Sequence, residues 1–132
     1  MVTLTDRIKT LGRHLSNVGV AGTALYVTQK ARLTMGQVDA PFFRLHSKHA
    51  RYPLWARPGT TDIDVFCQIF RDREYECLDD VRDPTLIIDC GANVGYASAY
   101  FLSRFPNAKV LAVEPDTDNF AALKVNVKPF GS

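Results

Sequence analysis

Leu4, Ile8, Leu11 and Leu15 stand four, three and four residues apart, with polar residues between them. That spacing sets all four on one stripe of an α-helix over residues 4–15. Thr5 and Asp6 lie near its start, where side-chain oxygens can cap free N–H groups. A stripe of this kind ordinarily packs on the body of its domain, and that is the expectation here; a lid or a partner-binding helix is the functional alternative. Residues 16–39 are weakly patterned and predict no firm element. From Phe42 to Trp55 the pattern is extended: Phe43 and Leu45, then Tyr52 and Leu54, alternate with polar neighbours, and Pro41, Pro53 and Pro58 exclude a long helix. A two-strand hairpin turning around residues 47–50 follows, with Pro58-Gly59 marking the next turn. Thr60 or Thr61 then opens a helix in which Val65, Phe66, Ile69 and Phe70 recur at helical spacing to about Arg71.

After Asp83-Pro84 the pattern changes. Thr85 to Cys90 is a short apolar run, expected of a strand buried on both faces of a parallel sheet. A turn over 91–95 leads into a helix ending near Arg104, with Ala97, Ala99, Phe101 and Leu102 facing the sheet and Pro106-Asn107 stopping it. Lys109 to Val113 is a second buried strand, and Asp116 caps a last helix with Phe120, Leu123 and Val127 on one face. Strand, turn, helix, strand, helix is the opening of a doubly wound α/β sheet. The predicted organisation is an N-terminal helical extension over 1–40, then an α/β part over 41–132 that opens with the hairpin.

Composition changes this picture little. The chain has 132 residues, 46% hydrophobic and 23% charged, which fits one ordinary globular domain. A formal charge of +2 with scattered Lys and Arg gives no stripe for nucleic acid. Cys67, Cys77 and Cys90 are odd in number and widely spaced, so they suggest neither a disulfide framework nor a zinc site, and no metal is expected. The expected location is a reducing cytoplasm. The apolar segment 18–27 follows Lys9, Arg13 and His14 but is broken by Gly19, Gly22 and Thr23. It is too short to span a bilayer and lacks a good signal cleavage site.

The chemistry lies in two features that a βαβ unit brings to one edge of the sheet. The first is Asp89-Cys90-Gly91-Ala92-Asn93-Val94-Gly95, between a strand and a helix. The second is Glu114, nineteen residues after Gly95 at the end of the next strand. Gly91 allows a sharp turn and close approach of a ligand. Gly95 lets helix and strand pack closely. Glu114 can accept both hydroxyl hydrogens of a ribose. Asp89 offers negative charge suited to a cationic amino group. A dinucleotide site would need a second glycine where Asn93 stands, and an acidic residue before the turn disfavours phosphate. S-adenosylmethionine, with no phosphate and a sulfonium and an ammonium group, suits the turn better; a purely structural turn is the remaining reading.

Arg57-Pro58-Gly59-Thr60-Thr61-Asp62, Val65 to Phe70, Glu74-Tyr75, Ile87 to Tyr96, Ala112 to Asp116 and Asn119-Phe120 together resemble the FkbM family of methyltransferases. The resemblance runs in order through roughly residues 43–130. It implies a Rossmann-like S-adenosylmethionine-dependent methyltransferase fold, present in part. It also implies transfer of a methyl group to a hydroxyl on a sugar, glycan or small-molecule acceptor. Asp89, Gly91, Ala92, Asn93 and Gly95 would line the methionine and ribose side, Glu114 would hold the ribose, and Thr61 and Asp62 would close over the cofactor. The family pattern continues through further strands that have no counterpart here, so the chain reads as a truncated, cofactor-binding half. The alternative is a non-catalytic binding or interaction module. An unpaired sheet edge would favour self-association. No residue stands out as general base. His46 and His49, three apart on an extended segment, would point to opposite faces as surface residues, and His14 would be exposed. Cys90 reads as a small buried residue, and Tyr52 and Trp55 as core.

Overall fold

A computed structural model describes residues 3–37 and 40–131; Asp39, where the weakly patterned segment ends, and Ser132 lie outside the described residues. Helix α1 spans Leu4–Arg13 and runs on through a π-helical turn, His14–Val18, to α2, Val20–Thr34. Thr3 is the N-cap of α1: it accepts from the Asp6 N–H, while the Asp6 carboxylate accepts from the Thr3 N–H at 3.0 Å. This reciprocal box satisfies two donors that the helix start would leave open. Strands β1 (Phe43–Leu45) and β2 (Leu54–Ala56) pair antiparallel, Arg44 opposite Trp55, and the hairpin turn carries an Ala50 N–H to Ser47 C=O bond. Helix α3 (Asp62–Phe66) continues as a π-helical turn, Cys67–Arg71, so the segment is helical to the expected end. Strands β3 (Leu86–Cys90) and β4 (Lys109–Val113) pair in parallel, joined by α4 (Tyr96–Arg104); α5 (Thr117–Val127) follows. The molecule is thus mixed α/β, with a βαβα unit where the sequence places it.

The core lies between the hairpin, the α3 segment and α4. Phe66 and Phe70 stack 5.2 Å apart, and Phe70 meets Tyr96 and Tyr100 edge-on at 6.4 and 6.1 Å. Such tilted aromatic pairs add to the benefit of burial. Asn126 of α5 clips the parts together. Its Oδ1 accepts the Trp55 N–H at 2.7 Å, and its Nδ2 donates to Trp55 C=O and Val94 C=O at 3.0 and 2.8 Å. The hairpin, the glycine turn and α5 therefore share one buried side chain.

Several expectations need correction. The stripe over residues 4–15 does not pack on the domain: Leu4, Ile8, Leu11 and Leu15 are 74%, 63%, 50% and 45% exposed. His14 is buried, its ring 4.4 Å from that of Tyr26. The weakly patterned segment holds the fifteen-residue α2. That helix buries Gly22, Thr23 and Tyr26, and a Cβ on Gly22 would lie 2.4 Å from the His46 carbonyl oxygen. Close backbone approach through small residues leaves no hydrophobic period to read. Finally, β3 and β4 are covered on one face only. Ile87 and Val110 pack against the core, while Leu86, Ile88, Leu111 and Val113 are exposed, as is Cys90.

Candidate functional site

The parallel register sets the ends of β3 and β4 side by side, Cys90 opposite Val113. The chain leaves β3 through Gly91 at φ +79°, passes Asn93 at +50° and enters α4 from Gly95 at +83°. Three left-handed residues in five reverse the backbone tightly; glycine takes this conformation freely, and asparagine is among the few others that tolerate it. The Val113 carbonyl accepts from both Gly91 N–H and Ala92 N–H, at 2.9 and 3.0 Å, and Gly95 N–H closes on Ala92 C=O at 2.8 Å.

Glu114 completes the turn from outside. Its Oε2 accepts the Asn93 N–H at 2.8 Å, and its Oε1 accepts the Asp116 N–H at 3.0 Å. The side chain is half-buried, so each oxygen keeps a lone pair for a further donor. Asp89 is buried, and Ser98 Oγ donates to its Oδ2 at 2.6 Å, tying the end of β3 to α4. Asp116 caps α5 as expected, accepting from Asp118 N–H and Asn119 N–H at 3.0 and 2.8 Å. The Glu114 carboxylate thus bonds the turn directly, and the N–H groups of Gly91, Ala92, Asn93 and Gly95 are all committed to acceptors within the chain.

The two glycines differ. A Cβ on Gly91 would meet nothing within 4 Å, so its surroundings leave room for a ligand. A Cβ on Gly95 would meet Leu123 Cα and Cγ at 3.1 Å. Gly95 therefore admits α5, rather than the strand, against the turn.

The structure brings Asp89, Gly91, Ala92, Asn93, Gly95 and Glu114 to one end of the sheet. Thr61 and Asp62 do something else. Asp62 is buried and takes a two-pronged contact from Arg57, with Nε to Oδ2 at 3.0 Å and Nη2 to Oδ1 at 2.9 Å, plus the Arg57 N–H at 2.8 Å. Burial pushes its carboxyl up, but the Arg57 side-chain and backbone bonds and that of Thr60 outweigh this and hold it below the usual range. Arg57 Nη2 also donates to Asn119 Oδ1 of α5 at 2.7 Å. Asp62 is spent on this lock, and Thr61 occupies the N-cap position of α3 without a side-chain bond to the helix. Sequence reasoning gave Arg57, Asn119, Ser98 and Asn126 no role. The available signal was Asn126, a polar residue set between Val125 and Val127.

Three histidines are kept apart. His46 is exposed. His49 is half-buried, with Nδ1 2.7 Å from Arg73 Nη1, and is not a plain surface residue. Burial, and then Arg73, push its pKa down from 6.5 to about 4. No group of three or more His, Cys, Asp or Glu among the described residues could hold a metal ion. No described helix is long and apolar enough to cross a membrane. An open groove of about 520 Å³ runs along β3 past Asp89, Tyr75, Phe101 and Phe105.

Set against known proteins, a stretch of 51 residues, 39% of this chain, is 39% identical to Methyltransferase sdnD of Sordaria araneosa. That stretch amounts to 19% of the relative's length, so the chain matches a small part of it. The likeness is to a methyltransferase, without a finer family. No family model matches the chain, and no solved structure matches it.

Proposed function

We propose that residues 41–132 form the cofactor-binding part of a Rossmann-like S-adenosylmethionine-dependent methyltransferase of FkbM type. The methyl group would pass to a hydroxyl of a sugar, glycan or small-molecule acceptor. The observation that carries this reading is the turn itself. The N–H groups of Gly91, Ala92, Asn93 and Gly95 are already committed, so the turn offers phosphate little, while Glu114 at the turn and Asp89 near the end of β3 supply negative charge and the space beside Gly91 is open. A cationic nucleoside fits these residues and a pyrophosphate does not.

In this reading Glu114 accepts the ribose hydroxyls with the lone pairs left by Asn93 and Asp116. Asp89, held by Ser98, faces the ammonium end. Bound adenosylmethionine would supply a methyl carbon on a sulfonium, open to in-line attack by a hydroxyl oxygen. The Arg57–Asp62–Asn119 lock and Asn126 hold α5 and the hairpin around the turn, which contributes alignment. The outward apolar face of β3 and β4 and the free edge of β3 favour association with further strands, from a second copy or another segment.

Calorimetric titration with adenosylmethionine and adenosylhomocysteine tests binding, and transfer of a radiolabelled methyl group to sugar and glycan hydroxyls tests activity. Saturable heats with both nucleosides support the reading; absence of heat with either refutes it. Sedimentation showing only monomer at all concentrations would refute the association.

A further inference from the structure

We infer that α1 is an interfacial helix that binds an anionic lipid surface. Leu4, Ile8 and Leu11 of α1, with Leu15 of the π-helical turn that follows it, form one narrow stripe, and each is roughly half exposed or more. The helix is fixed at its start by the Thr3–Asp6 box, so the stripe is presented by a formed helix. A capped helix with an apolar stripe in water and cations on its other faces is the arrangement that lies in the headgroup boundary of a bilayer.

Charge selects the occupant. Residues 3–37 contain Arg7, Lys9, Arg13, Lys30 and Arg32 against a single acid, Asp6. The Asp6 carboxylate is held by the capping bonds to Thr3. Arg7 flanks the stripe, and Lys9 and Arg13 lie behind it; Arg13 also meets Asp72 at 3.2 Å. A second copy is a poorer occupant. The stripe is only two heptads long, and no acid beside it could pair with Arg7 across a helix–helix seam. An anionic bilayer meets both features at once, taking up the stripe and attracting the cations. The inference is independent of the cofactor site.

Co-sedimentation of the full chain with vesicles tests it, comparing phosphatidylcholine alone with phosphatidylcholine containing phosphatidylserine. The expected result is binding to the serine-lipid vesicles that weakens with added salt. The double substitution Ile8→Glu, Leu11→Glu should weaken it more than about tenfold. Both positions are exposed, so the far-ultraviolet circular dichroism of the variant should match the parent. Arg7→Glu with Lys9→Glu should lower binding to the anionic vesicles while leaving the fold intact. Three results would overturn the inference: no binding to anionic vesicles, binding indifferent to Ile8→Glu and Leu11→Glu, or a concentration-dependent mass abolished by that pair without vesicle binding, which would assign the stripe to a second copy.

Discussion

The turn from Asp89 to Gly95 and the helix Leu4–Arg13 are both well formed, yet they end in opposite physical states. In the turn, polar groups find partners within the chain and Gly95 lies hard against Leu123. In the helix, the backbone is satisfied and the apolar stripe faces water. The difference shows what a pattern can and cannot carry. Periodicity specifies the form of an element. Its destination depends on a complementary surface, which the turn has in β4 and α5 and the helix lacks among the described residues.

Substitutions should expose this contrast directly. Gly95→Val asks for a side chain at positive φ and in contact with Leu123, and should cost roughly 2–4 kcal/mol in chemical denaturation. Gly91→Ala meets only the conformational penalty, about 1 kcal/mol, since the space beside it is open. Equal losses at the two glycines would break the distinction between a glycine packed on α5 and one facing open space.

A pH effect of similar size belongs to His49, where the hairpin loop meets Arg73. Its folded pKa lies below its unfolded one, so the folded state disfavours the proton. The contribution is therefore full above pH 6.5 and is lost as pH falls toward about 4. Because the ring is half exposed, solvent screening limits the loss to about 1 kcal/mol. Denaturation curves across this window should flatten in His49→Gln; an unchanged slope would remove His49 as the source. The smallest effect is expected at the first helix, where Ile8→Glu should alter stability by no more than about 0.5 kcal/mol. A larger loss would mean that the stripe packs on the domain after all.

Much of the site was legible from the chain. The two apolar runs, the glycine turn and Glu114 are short-range signals, and the βαβ connection turns them into neighbours. The apolar run of β3 also suggested burial on both faces; composition alone does not say whether a second layer is present, and Leu86 and Ile88 face outward. Helix α2 was hidden because Gly22 and Thr23 make its contacts. The Arg57–Asp62–Asn119 lock was hidden for another reason: its members are five and sixty-two residues apart, and only the folded chain brings them together. Cys90 and His14 were misplaced by residue-type averages that a strand end and an aromatic neighbour override.

The central claim is that the turn and Glu114 bind a cationic nucleoside in preference to a dinucleotide. Titration of adenosylmethionine into the parent and into Glu114→Gln, with NAD as the comparison ligand, tests it most directly. The account expects binding by the parent, a loss of about ten- to a hundredfold in Glu114→Gln from weakened charge-assisted bonds, and no comparable binding of NAD. Affinity unchanged by the substitution, or NAD bound as tightly as the nucleoside, would contradict it.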